Sequence, residues 1–262
     1  MDALVQVAVF LVLPYAALVA FVVGVVWRVR GWLTARGRTG LRSVAILPNA
    51  YGRSEVAGDL VKRVTVFYSL PKMEDDRTLI VGTMMFHYGI WVVLVSHLGL
   101  IVPLPISART HYWLGFYIGG VAGFLTLAGL LVLTVRRIRS PSLRRISFFD
   151  DYFAVGLLFL IITFGLIQTL VVQPNYLSTV SPWLVSILTF SPNLSPIAGV
   201  GIFTILHITL ALVFIAYIPY GKMAHIVAYM FTPTLTGPSF RVDARGLSSV
   251  SSPGLQRGGG LR

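Results

Sequence analysis

The sequence of 262 residues contains no cysteine and few charged residues. Without thiolates, the chain cannot form disulfides, thiolate metal sites or cysteine-ligated iron–sulfur clusters. Charged side chains make up 11% of the residues, whereas average usage is about 25%. Apolar residues make up 56%, and the mean hydropathy is +0.81. This composition is typical of an integral membrane protein.

The stretches that lack charge are long enough to cross a bilayer, which takes about 20 apolar residues. Five segments without Asp, Glu, Lys or Arg meet this length: 3–27, 79–104, 112–135, 152–173 and 197–220. We therefore predict an all-α integral membrane protein.

Residues 1–230 are expected to form a bundle of five transmembrane helices. Residues 231–262 contain three consecutive glycines, which favours a disordered tail. Between the first two spans, Val64, Val66 and Tyr68 alternate with other residues, a pattern that fits either a strand or an interfacial segment.

The distribution of Lys and Arg predicts the orientation of the bundle. Alternate connections hold 20 of the 21 basic residues, and Arg109 is the exception. Because basic residues are enriched in cytoplasmic loops, the N-terminus is expected outside and the C-terminus in the cytoplasm. The net charge of +12 then reflects a basic cytoplasmic surface rather than a nucleic-acid site. We expect a multi-pass membrane protein.

Histidines are the ionisable groups, apart from tyrosine, that lie inside the charge-free spans. His87 and His97 belong to the second span, His207 to the fifth, and His225 follows the fifth at its inner end. Ionisable groups within a bilayer are costly and usually functional. A lone histidine could equally be satisfied by a hydroxyl or a carbonyl group, but four on two helices favour a cofactor site.

The orientation predicts two pairs at different depths: His97 with His207 toward the outside, and His87 with His225 toward the cytoplasm. Each pair could supply both axial ligands to a haem iron, which leaves no open position and favours electron transfer. The spacing within each helix differs, because 10 residues span about 15 Å and 18 residues about 27 Å. We therefore predict that Pro219 and Gly221 kink or end the fifth helix near 218–221.

The histidine motifs resemble those of a known family. FHYGIWVVLVSHLG at 86–99 and LHITLALVFIAYIPYGKMAH at 206–225 resemble the cytochrome b (gamma) subunit of respiratory nitrate reductase. FDDYFAVGLLFLIITFG at 149–165, together with the IPYGKMAH ending, is also similar to membrane subunits of sulfite-reduction-linked and heterodisulfide-reductase-like menaquinol complexes. These are branches of one superfamily, so the terminal electron acceptor stays open.

This resemblance implies two b haems, a distal one held by His97 and His207 and a proximal one held by His87 and His225. It also implies an electron-transfer subunit of an oxidoreductase complex that oxidises a quinol, menaquinol or ubiquinol, at the outer face. Cytoplasmic iron–sulfur and catalytic subunits would receive the electrons.

Quinol oxidation needs a proton acceptor and a partner for the carbonyl oxygen near the distal haem. Polar residues near the outer helix ends supply the candidates: Ser96, Arg109, His111 and Tyr112. Two alternatives remain: a haem-free membrane anchor or transporter, and a metal site other than haem. Four histidines at two depths do not converge on one ion, which disfavours the latter.

Overall fold

The computed structural model describes residues 2–38, 53–67, 76–102, 104–225 and 228. Within these residues the regular secondary structure is entirely helical. The predicted tail, 231–262, lies outside the described residues. Of the alternating residues, Val64 and Val66 belong to a helix rather than a strand, and Tyr68 lies outside the described residues.

Eight helices, α1 to α8, are labelled in chain order within the described residues. Three of them, α1, α4 and α6, include a π-helical turn. The bounds are α1 (Ala3–Val7, Ala8–Val12 and Leu13–Arg38), α2 (Arg53–Val66), α3 (Arg77–Leu98), α4 (Ala108–Leu114, Gly115–Gly119 and Gly120–Arg139), α5 (Pro141–Arg145), α6 (Phe149–Ile167 and Gln168–Val172), α7 (Val180–Leu188) and α8 (Ile202–Tyr217).

Four of the described helices are long and apolar enough to cross a membrane: Ala3–Trp32, Arg77–Leu98, Ala108–Arg139 and Phe149–Val172. They correspond to the first four predicted spans. The fifth predicted span, 197–220, contains α8, which has 16 residues. A helix of that length measures about 24 Å, less than the hydrocarbon thickness of about 30 Å.

The helix bounds differ from the predicted spans where charged or turn-forming residues flank them. The helix of the third span begins at Ala108 and continues to Arg139, because Arg side chains can extend toward the interface from a helix end. The segment 174–196, which the sequence suggests is a loop, contains α7. Residues 195–197 form a 3₁₀ turn, so α8 begins later than predicted.

The helices pack in a chain of neighbours around the bundle. α3 packs against α4, α4 against α6, α6 against α8, and α8 against α1. Leu130, Leu158 and Ile162 form a buried core between α4 and α6. Large apolar side chains such as Val121 and Phe124 remain exposed, as a lipid-facing surface requires.

α7 covers one end of the bundle, which we call the N-terminal end because the start of α1 lies there. The Trp183 indole N–H donates to the carbonyl of Phe10 at 2.9 Å, and the two rings meet edge to face. Val180 and Ile187 complete this buried cluster with Ile197. The helix that the sequence did not predict therefore seals the end nearest His97.

The opposite end carries a group of basic side chains and is here called the basic end. It is defined by these residues: Arg28, Arg136, Arg137, Arg139, Arg144, Arg145 and Lys222. Asp76 lies there too, where it caps α3 by accepting from the backbone N–H groups of Thr78 and Leu79. Arg136 donates to the same carboxylate at 2.7 Å. The Arg136 guanidinium lowers the pKa of Asp76, and the backbone donors act in the same direction.

We expect Asp76→Ala to lower the thermal unfolding midpoint more than Asp76→Asn, because asparagine still caps the helix but loses the ion pair. Since the folded-state pKa is depressed, the ion pair stabilises the fold above about pH 4 and is lost as the pH falls through the folded-state value. The advantage of the native chain over Asp76→Asn should therefore shrink on acidification below pH 4. A difference that stays constant with pH would contradict this assignment.

Candidate functional site

The histidines predicted to pair toward the outside lie opposite each other on α3 and α8. The ring centroids of His97 and His207 are 6.1 Å apart, with 20° between the ring planes. The side chain of His97 is exposed, and that of His207 is partly buried. This pair lies near the N-terminal end, since the turn after His97 accepts a hydrogen bond from Ser181 of the α7 segment at the carbonyl of Leu100.

The second pair lies toward the basic end. The ring centroids of His87 and His225 are 6.4 Å apart, with 70° between the planes. The predicted helix break is confirmed: α8 ends at Tyr217, and a 3₁₀ turn at Lys222–Ala224 leads to His225. The break turns the chain back, so His225 reaches the ring of His87 despite the longer spacing along the sequence.

All four rings form a hydrogen bond to a backbone carbonyl through the same nitrogen, Nδ1. Nδ1 of His87, His97, His207 and His225 lies 2.7–3.1 Å from the carbonyl oxygens of Thr83, Val93, Ile161 and Lys222. A carbonyl oxygen can only accept, so each Nδ1 carries the proton. In this tautomer of the neutral ring Nε2 keeps its lone pair, which is the arrangement that metal-binding histidines use.

The geometry of each pair fits a haem. With metal–nitrogen bonds of about 2 Å and ring centres about 1 Å beyond, two axial imidazoles have centroids about 6 Å apart. Both measured separations agree with this value. Protein-bound zinc needs three or four protein ligands, and no such group of His, Asp or Glu occurs within the described ranges. A porphyrin supplies four nitrogens itself, so two histidines suffice.

The four quinol-site candidates do not form one cluster. His111 lies beside the end of α3, because a Cβ added at Gly99 would lie 3.1 Å from His111 Nε2 and 3.3 Å from the Ser96 carbonyl. Ser96 and His111 are thus near His97. Tyr112 instead stacks on Phe116, within an aromatic group that includes Trp113 and is typical of a membrane interface. Arg109 is exposed.

The glycines next to His87 serve helix packing. A Cβ at Gly89 would lie 2.7 Å from the carbonyl of Ala122, and one at Gly82 would lie 3.0 Å from the side chain of Leu133. Both contacts are with α4, so these glycines let α3 and α4 approach closely. Gly165 contacts the site directly, because a Cβ there would lie 3.1 Å from Cε1 of His207.

Sequence reasoning missed the contributions of α6 to the site. Ile161 binds His207 through its carbonyl oxygen, and Gly165 makes room for the ring. Gly165 can be recognised in the sequence as a small residue. The role of Ile161 cannot, because any residue type has a backbone carbonyl.

Comparison with known proteins identifies a family whose sequence pattern this chain matches. Residues 68–236 match the family described as the nitrate reductase gamma subunit. The chain belongs to this family. The match covers both histidine pairs, and it excludes all of α1 and α2 and the end of the chain.

Individual relatives come from two kinds of complex. A sequence described as an Hdr-like menaquinol oxidoreductase cytochrome b-like subunit from Archaeoglobus fulgidus is 28% identical over 265 aligned residues, covering 87% of this chain and 79% of the relative. The one from Archaeoglobus profundus is 29% identical over 64% of this chain. The chain spans about half, 52%, of that relative's length. A nitrate reductase gamma chain from Bacillus subtilis is 26% identical over 58% of this chain and 73% of its own length.

Family members of these kinds are membrane subunits of multi-subunit oxidoreductases, which fits the four membrane-spanning candidates.

Proposed function

We propose that this chain is the membrane cytochrome b subunit of a respiratory complex that oxidises menaquinol or another quinol. The observation that carries the proposal is the presence of two histidine pairs at different heights of the bundle, with His87 near the middle of α3 and His97 near its end. Each pair has the centroid separation expected of axial haem ligands, and each ring has Nδ1 bound to a carbonyl. Two b haems, when bound, would supply one-electron transfer between quinol and a partner protein.

The residues act by holding and orienting these groups. His97 and His207 would hold the distal haem, and His87 and His225 the proximal haem. Because each carbonyl accepts a hydrogen bond from Nδ1, the imidazole cannot rotate freely, and Nε2 is the nitrogen left to bind a metal. Two protein ligands per iron leave no position for oxygen or substrate, which restricts the site to electron transfer.

We also propose a five-helix topology for residues 1–230, with α8 as the fifth span and the N-terminus outside. α8 lacks charged residues and continues into the turn at 218–220, which lengthens the apolar path. The basic residues gather at the end opposite the start of α1, which supports a cytoplasmic basic end. The histidine pair near the N-terminal end would then face the outside of a prokaryotic plasma membrane.

A quinol site beside the distal pair is part of this proposal. His111 is the better placed candidate, because its Nε2 lies beside Gly99, two residues after His97, and Ser96 adjoins His97 in the sequence. An imidazole side chain is a suitable acceptor for a proton released by quinol. Arg109 and Tyr112 remain candidates at the same membrane face, although the aromatic neighbours of Tyr112 favour an interfacial anchor.

The electrons require a cytoplasmic partner. This chain contains no cysteine, so it cannot itself ligate a cysteine-bound iron–sulfur cluster. We propose iron–sulfur and catalytic subunits that dock at the basic end, where arginines favour an acidic surface.

A second assignment of the complex is an Hdr-like menaquinol oxidoreductase rather than a nitrate reductase. The Archaeoglobus fulgidus relative aligns over 87% of this chain, whereas the Bacillus subtilis nitrate reductase gamma chain aligns over 58%. Purification of the chain from its native membrane separates the two assignments, because a molybdenum subunit would accompany a nitrate reductase.

The proposed function predicts that a reduced menaquinol analogue will reduce b-type haem in membranes that contain this chain. Absorption difference spectra should develop a b-type band within seconds of addition, and membranes without the chain should not. A chain that inserts but shows no haem band even with dithionite would instead be a haem-free anchor or transporter.

A further inference from the structure

The break after α8 leaves backbone groups that a continuous helix would satisfy. Pro219 has no N–H to donate, and its carbonyl and that of Tyr220 lie beyond the last helical residue, Tyr217. Pro219 is also fully buried. A carbonyl in buried surroundings needs a donor, so the Pro219 carbonyl depends on a side chain from another helix, whereas Tyr220 is exposed.

Arg28 of α1 supplies these donors. Its Nε donates to the carbonyl of Pro219 at 2.8 Å, and a terminal nitrogen donates to that of Tyr220 at 2.8 Å. The planar guanidinium suits two acceptors at once. α1 approaches the break one turn earlier as well, because a Cβ at Gly24 would lie 2.7 Å from the Pro219 Cβ.

Asp151 of α6 holds the other side of the break. Its carboxylate, which is 5% exposed, accepts from Lys222 Nζ at 2.8 and 2.6 Å. Arg137 lies 3.4 Å from the same carboxylate. The carbonyl of Lys222 in turn accepts from Nδ1 of His225 at 3.1 Å. A chain of contacts therefore runs from the buried aspartate through Lys222 to the histidine ring.

These contacts decide where His225 lies. If α8 continued as a helix, His225 would stand about 27 Å from the height of His207, whereas His87 and His97 differ by about 15 Å. The turn has to be held in its folded-back form for the two rings to meet. Arg28 fixes its first half and Asp151 its second half, each from a different helix.

We propose that Arg28 and Asp151 are positioning residues for His225, which together keep it opposite His87. The proposal rests on the proposed function, because it assumes that this pair holds a haem. Neither residue touches the rings, and both act through the break: Arg28 through two carbonyls and Asp151 through Lys222. The proximal site should therefore be sensitive to both residues, and the distal pair to neither.

The test uses the full chain in membranes and the low-temperature EPR signals of the two oxidised low-spin haems. His225→Ala and His97→Ala first assign the signals, since each should remove one. In Arg28→Gln the signal assigned to the proximal haem is expected to lose at least half its intensity or to shift in g value and midpoint potential. The distal signal should keep its intensity, which also reports that the protein is folded.

Two control variants match the chemical changes. Arg30→Gln removes an exposed arginine from the same helix two residues away, and it should leave both signals unchanged. Asp151→Asn should reproduce the effect of Arg28→Gln, whereas Asp76→Asn breaks a different ion pair at the basic end and should not. Because Arg28 and Asp151 lie on separate helices, poor insertion of one variant leaves the other to decide.

Unchanged proximal signals and potentials in both Arg28→Gln and Asp151→Asn would overturn the proposal, while the loss of one signal in His225→Ala would leave the haem assignment intact. If the unaltered chain shows no low-spin haem signal, the proposed function fails and the positioning role fails with it.

Discussion

Membranes that contain the His97→Ala variant are expected to hold one haem per chain instead of two, and to lose quinol oxidation. In the native chain the imidazole of His97 lies 6.1 Å from the ring of His207. The variant removes this imidazole and leaves His207 without its partner. Loss of even an outer-shell partner costs about 10–100-fold in metal affinity or activity, so loss of a ligand should cost at least about 100-fold. His207→Ala should have the same effect. A pyridine haemochrome assay measures the number of haems per chain. Quinol-dependent haem reduction measures quinol oxidation.

The remaining haem should be the one held by His87 and His225, because their contacts do not involve the outer pair. His111→Ala is the matched control for haem content, since it removes a histidine from the same membrane end without altering either pair. Loss of both haems from His97→Ala, with the protein still inserted, would contradict the separation into two sites.

Gly129→Ala is expected to cause the largest loss of stability among single changes away from the histidines. A Cβ at this position would lie 2.8 Å from the carbonyl of Gly82 and even closer to the backbone nitrogen of Phe86. These neighbours are backbone atoms of α3, so no side chain can rotate away and the two helices must separate. Overpacking typically costs about 1–3 kcal/mol, and we expect a value of about 3 kcal/mol here.

A loss of that size should lower the unfolding midpoint by about 10 °C for a chain of this length. Gly119→Ala is the control, because a Cβ at Gly119 meets nothing within 4 Å and the substitution lies in the same span. Alanine there should be neutral or slightly stabilising, since it favours a helix over glycine. Equal midpoints for the two variants, measured by circular dichroism in detergent, would show that α3 and α4 do not require the close approach.

The juxtaposition of the histidines could be anticipated because it depends on depth, and depth follows from charge counting. The orientation rule needs only the positions of Lys and Arg, and it separates His97 and His207 from His87 and His225. The break at 218–221 could be anticipated for a similar reason, because Pro219 cannot donate in a helix whatever surrounds it.

Other parts of the site depend on packing that residue types do not reveal. Gly82 and Gly89 could have faced either a flat cofactor or another helix, and only the contacts with α4 decide for the helix. α7 was hidden by the proline and serines of its segment, because its helical form depends on Trp183 packing against Phe10. The role of Asp151 follows from the position of Lys222 in space, which the order of residues does not give.

The count of haems per polypeptide in the purified, unaltered chain tests the central claim most directly. The full-length protein, extracted in mild detergent with its native partners, would be analysed by pyridine haemochrome and by quantitative amino-acid analysis. Two histidine pairs predict two b haems per chain. A preparation of folded protein that contains no haem, or one haem that persists when either pair is removed, would contradict the account.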